Sequence, residues 1–208
     1  MWIDTSYTAK YCWQSKDERG SFLPISRGQR LIVVNGGACT WFVPGALLVW
    51  KATSSNGDYH SEMNGNNFQK WFCEKHLENT SVKSVFVMDN ASYHSCKSEK
   101  WPNSSTRKAD IQAWLTKHNI PFDKKLLLPE LLALAKANKP EPQYIMDDIA
   151  KEKGHIILRL HPYHPDLNSI ELVWAQLKRI VSSRNVTNKL NDVLEINKAA
   201  FTEISVQN

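Results

Sequence analysis

The chain has 208 residues, 42% of them hydrophobic and 23% charged, an ordinary globular balance that fits one domain. Its net charge of +5 is mildly basic, which suits a phosphate-rich partner without requiring one. The longest apolar runs, LIVV at 31–34 and ALLVW at 46–50, are too short to span a bilayer, and the N-terminus MWIDTSYTAKYCW reads as neither a signal nor a transit peptide. Cys12, Cys39, Cys73 and Cys96 lie far apart with no Cys-x-x-Cys pair, so free thiols are expected rather than a structural zinc site.

Residues 1–4 (MWID) form a short apolar run ending in an acid, and Arg30–Asn35 (RLIVVN) is a buried-strand pattern followed by the turn signal Gly36-Gly37. Trp41–Trp50 is a third apolar stretch that Pro44-Gly45 should interrupt. The period then changes. Phe68, Trp71, Phe72, Cys73 and Leu77 share a face of a helix over 66–78. A short buried strand over 84–88 ends at Asp89-Asn90, and 95–108 reads as a polar loop. Helices are expected over 109–118, over 129–137 with Pro129 in the first turn, and over 144–151. His155–Leu160 is strand-like, His161–Asn168 a Pro-rich loop, and 169–182 and 190–204 are amphipathic helices. Strands, helix, strand, helical block, strand and helix together predict an α/β fold whose sheet is flanked by helices.

Three acids fall at informative places. Asp4 and Asp89 each follow an apolar run and so emerge at strand ends, and Glu171 sits in the first turn of a helix. Each has a local reading of its own: Asp89-Asn90 as a turn, Glu171 as an acid favoured by the helix dipole. Jointly they match the needs of phosphodiester chemistry, in which two hard divalent ions are held by carboxylates from separate elements.

The blocks Asp89-Asn90-Ala91-Ser92-Tyr93-His94 and Tyr163-His164-Pro165-Asp166-Leu167-Asn168-Ser169-Ile170-Glu171, followed by Trp174 and Lys178, resemble the DDE domain of Tc1/mariner-type transposases. The resemblance spans nearly the whole chain. It implies a ribonuclease H-like, five-stranded mixed sheet flanked by helices, with a helical insertion at about 105–152 between the fourth and fifth strands. It further implies Asp4, Asp89 and Glu171 as catalytic ligands of two Mg2+ ions, for which Mn2+ can substitute. DNA, as transposon ends and target, would be the substrate, a homodimer the active complex and the nucleus its place of action, with no membrane partner. The family's third acid follows the Ile, which selects Glu171 and leaves Asp166 as a second choice.

Asp89 and Glu171 stand 82 positions apart, a spacing that resembles the long-gap, Sailor-like branch. The family's N-terminal helix-turn-helix domains have no counterpart in residues 1–208, so sequence-specific recognition is not expected of this stretch. Ser169 and His161 stand where the family usually has proline, and Ser169 could cap the helix instead. The resemblance places His94 near the site, as a contact to DNA or to a metal-bound water, and Lys178, Arg179 and Arg184 on the Glu171 helix are candidate phosphate contacts. His161 and His164 could form a zinc pair, while Asp58-Tyr59-His60 and Glu62-Met63-Asn64 receive no catalytic role. Two other readings compete: a catalytically inactive, transposon-derived remnant that binds nucleic acid or protein, and an RNA–DNA hybrid nuclease on the same fold.

Overall fold

A computed structural model describes residues 1–9, 28–38, 42–52, 63–80, 83–162 and 164–204. Cys12, Cys39, Trp41, Asp58-Tyr59-His60, Glu62 and Tyr163 lie outside the described residues.

Strands β1 (Trp2–Asp4), β2 (Arg30–Val34) and β3 (Leu48–Lys51) form an antiparallel sheet in the order β1-β2-β3, with Ile3 opposite Leu31 and Ile32 opposite Trp50. β2 is buried along its whole length, as its unbroken apolar run demands. Its two faces serve different cores. Ile32 and Val34 pack with Phe68, Phe72 and Phe86, whereas Leu31 and Val33 pack with Ile3, Trp174, Leu177 and Phe201. The expected break in the third apolar stretch occurs at Pro44-Gly45, where Gly45 adopts φ +74°, a conformation costly for any residue with a Cβ.

Helix α1 (Gly65–Trp71) starts at Asn64, whose side-chain oxygen accepts the Asn67 N–H at 2.9 Å. It runs on as a π-helical stretch, Phe72–Leu77. Its buried face lies against β4 (Val85–Met88), which pairs in parallel with β5 (Ile156–Arg159). Phe86 and Met88 turn into the first core; Val85 and Val87 point the other way and are exposed.

The expectation of one five-stranded sheet requires correction. Among the described residues the strands form a three-stranded antiparallel sheet and a separate two-stranded parallel sheet. Between them lies a cleft lined by Met1, Ile32 and Val34 from one sheet and Val85, Val87 and Met88 from the other. Among the described residues β1 and β4 share no backbone ladder.

The helical insertion also divides. Helices α2 (Lys108–Lys117) and α3 (Leu128–Ala137) form a hairpin with a core of its own, built on Ile111, Trp114, Leu115, Leu131 and Ala135. Pro129 lies in the first turn of α3, and Glu130 reaches back to accept the Leu127 N–H at 2.7 Å. By contrast α4 (Ile145–Glu152) returns Met146 and Ala150 to the main core. A single 3-10 turn, Pro165–Leu167, leads into α5 (Ile170–Arg184), and α6 (Leu190–Glu203) packs back on α5 and β2. Ser169 has helical dihedrals and makes no side-chain cap bond, so it continues the helix rather than capping it.

Candidate active site

Asp89 leaves the end of β4 into a turn. Its Oδ1 accepts the Ala91 N–H at 3.0 Å and lies 2.6 Å from Nδ1 of His94. The hydrogen bond to His94 holds the Asp89 carboxyl below the ordinary aspartate range; partial burial opposes this, while the His94 charge and the Ala91 N–H reinforce it. His94 is itself fixed, with its ring centroid 4.2 Å from that of Phe68 and 4.5 Å from that of Tyr93. Asn90 donates to the Leu160 carbonyl, fastening the turn to the end of β5.

Arg159, at the end of β5, was not singled out by the sequence, yet it organises this region. Its Nη1 donates to the His94 carbonyl at 3.1 Å and to Ser95 Oγ at 3.2 Å, its Nη2 pairs with Asp147 at 2.5 Å, and its guanidinium lies 4.0 Å from the Tyr144 ring centroid. A lone cation closing an apolar strand, with acids in the first turn of the preceding helix, was the available signal.

Glu171 is exposed in the first turn of α5. It lines the cleft together with Asp89, His94 and Asn168, and the cleft has a volume of about 810 Å3. The Met1 amine reports on the same neighbourhood. Burial pushes it down to about 6, Glu171 pulls it up, Lys178 pushes it down, and Asp89 pulls it up. Two of the three expected carboxylates thus border one cleft at the N-terminal end of β1.

Asp4 is not brought to that rim. It is buried, accepts the Ser6 hydroxyl, and is no part of the cleft wall. β1 runs beside α5 in the same direction. Met1 is coupled to Glu171, Lys178 lies over the Trp2 and Tyr7 rings at 5.5 and 5.8 Å, and Asn185 donates to the carbonyls of Thr5 and Tyr7 at 2.9 Å each. Asn185 follows Glu171 by fourteen residues, about 21 Å along a helix axis. Thr5, the neighbour of Asp4, thus touches the residue that follows α5, and the Met1 amine feels the charges of Glu171 and Asp89.

Lys178 is half-buried against the Trp2 and Tyr7 rings and electrostatically coupled to the cleft-side amine. Arg179 is exposed, and among the described residues no carboxylate pairs with it. Arg184, exposed near the end of α5, pairs with Glu203 through two bonds of 2.5 and 2.7 Å. Asp166 is exposed, 3.7 Å from His164, and the His161 and His164 rings stand 5.3 Å apart. Among the described residues no group of three His, Cys, Asp or Glu side chains is placed to hold a metal ion.

A half-buried turn carboxylate, Asp89, and an exposed helix-borne glutamate, Glu171, line one cleft, the donor types that a phosphodiester-cutting site uses. Residues 4–192 match the DDE superfamily endonuclease family, and the chain belongs to that family. Such domains generally use divalent metals and act on DNA. No curated protein matches the chain. In donor type Asp89 and Glu171 fit a magnesium ion, which prefers hard oxygens and is commonly held by one or two carboxylates with substrate phosphates and waters. Asp4, the third carboxylate expected, is not among the residues lining the cleft.

Proposed function

We propose that the chain is the catalytic core of a cut-and-paste DNA transposase of the Tc1/mariner kind, in its long-gap, Sailor-like branch. Its reaction would be metal-dependent cleavage of DNA strands and strand transfer at transposon ends. One observation carries the reading: Asp89 and Glu171 border the same cleft although 82 positions separate them. Each also belongs to one of the two sequence blocks that resemble this group, and a ribonuclease H-like ancestry is consistent with the mixed α/β architecture.

In this reading Asp89 and Glu171 hold a Mg2+ or Mn2+ ion, which when bound supplies Lewis-acid stabilisation of the scissile phosphate and its attacking oxygen. His94 and the Ala91 N–H fix Asp89 Oδ1. Lys178 and Arg179 on α5 would stand near the DNA backbone. A homodimer, action in the nucleus, and transposon ends as substrate follow from the same group.

The second reading, a DNA-binding remnant that no longer cuts, is favoured by the position of Asp4 away from the rim. A nicking assay on supercoiled DNA separates the two. Mg2+- or Mn2+-dependent nicking that Asp89→Ala abolishes supports the enzyme; a folded chain that never nicks supports the remnant.

A further inference from the structure

The net positive charge of the chain is concentrated in the segment the catalytic reading leaves unexplained. Residues 97–141 carry nine Lys or Arg against five Asp or Glu, and so hold four of the five net positive charges. All nine basic side chains are exposed or half-exposed, and among the described residues only Lys117 has a carboxylate partner, Glu99 at 2.7 Å. The hairpin α2–α3 packs on its own core. That core fixes the framework but explains none of the surface charge.

The arrangement at the base of the hairpin is specific. Lys97 and Lys139 come from opposite ends of the insertion, yet both ammonium groups lie over the Trp101 ring, 4.5 and 3.9 Å from its centroid. Each gains a cation–π contact. Gathering two like charges on one indole nevertheless costs Coulomb energy that a shared anion would remove. The base is also anchored. Lys97 bridges to Tyr144, Ser98 N donates to the Gln143 carbonyl at 3.0 Å, and Ile145 N donates to the Cys96 carbonyl at 3.0 Å. Tyr144 carries the Arg159 guanidinium that also holds the His94 carbonyl, so the charged base and the Asp89 turn share one scaffold.

We infer that the hairpin base, Lys97–Trp101–Lys139, is a second contact for the phosphate backbone of duplex DNA, apart from the cleft that holds Asp89 and Glu171. The contact is sequence-independent, since ammonium groups meet phosphates as point charges. The inference rests on DNA being the partner, and its test keeps the two failures apart.

The test measures binding of a fluorescent 40-base-pair duplex of arbitrary sequence across 50–200 mM salt, in chelator so that no strand is cut. Lys97→Gln/Lys139→Gln should weaken binding and make the log K against log salt slope shallower by about 1.8, roughly 0.9 per lost phosphate contact. Lys153→Gln, which removes a cation paired with Glu78 on another face, should leave the slope unchanged. Unchanged slope and affinity in the double variant, with the parent chain binding normally, overturn the hairpin contact alone. A parent chain that binds no duplex overturns both this contact and the DNA reading beneath it.

Discussion

Nδ1 of His94 lies 2.6 Å from Oδ1 of Asp89, and the Ala91 N–H donates to that same oxygen. Both contacts fall on Oδ1. His94 is thus a positioning residue acting through Asp89, in the manner of the outer partners that orient metal ligands. Replacing it with alanine should raise the Mn2+ concentration for half-maximal nicking by about 10- to 100-fold, the usual cost of losing such a partner. His94→Gln should recover part of the loss. A lowered melting temperature with an unmoved Mn2+ midpoint would instead make His94 purely structural.

Arg179 and Arg184 share a helix but should behave differently toward DNA. Arg184 is committed to Glu203 and Arg179 has no carboxylate partner among the described residues. Arg179→Gln should make the salt dependence of duplex binding shallower by roughly 0.9, whereas Arg184→Gln should leave it where it was. An Arg179→Gln slope equal to the parent's would remove Arg179 from the DNA contact surface, and a shallower slope for Arg184→Gln would show that its pairing with Glu203 does not keep it from DNA.

His76 predicts an acid weakness. Its ring is packed among Trp71, Phe72 and Phe86, and its Nδ1 is buried without a hydrogen-bond partner in the described structure. Burial pushes its pKa down to about 4, and the charge of His155 pushes the same way. The unfolded chain takes up a proton near 6.5 and the folded chain only near 4, so stability is lost as pH falls through that window. The loss reaches about 3 kcal/mol at most for a shift of this size. Urea melts from pH 7 to 4 should show the decline, and His76→Phe should flatten it.

Leu177 is fully buried on α5 between β2 and α6, and Leu127 is 66% exposed before α3. Leu177→Ala should cost about 2–5 kcal/mol by creating a cavity that α5 and α6 close only in part. Leu127→Ala should stay within about 0.5 kcal/mol. Denaturant melts of both variants check the contrast. A small loss at Leu177 would mean that α5 is not clamped as its packing indicates.

Element identities were largely legible because each rests on local signals. RLIVV is largely β-branched and buried throughout, PELLALAKA opens with proline on a strong helix former, and the helical face of Phe68, Trp71, Phe72 and Leu77 follows from its spacing, though not its π-helical second half. That Asp89 and Glu171 both line the cleft was foreshadowed by their places at a strand end and a helix start, elements the pattern reveals. The position of Asp4 was not. Its strand is three residues long, and which end of so short a strand meets the cleft depends on how β1 packs against distant segments, which no local period encodes. Likewise the split of five strands into two sheets and the Arg184–Glu203 pairing depend on contacts between distant segments that no local period encodes.

The central claim is that Asp89 and Glu171 form the metal-binding pair and that Asp4 stands outside it. Titration of Mn2+ followed by electron paramagnetic resonance, on the parent chain and on Asp89→Asn, Glu171→Gln and Asp4→Asn variants with unchanged circular dichroism, tests it most directly. Asp89→Asn and Glu171→Gln should each weaken Mn2+ binding by at least about tenfold, as loss of a direct carboxylate ligand should cost no less than the 10- to 100-fold of an outer partner. Asp4→Asn should bind like the parent. Weakening by Asp4→Asn equal to that of the other two, or full binding by Asp89→Asn, would contradict the account.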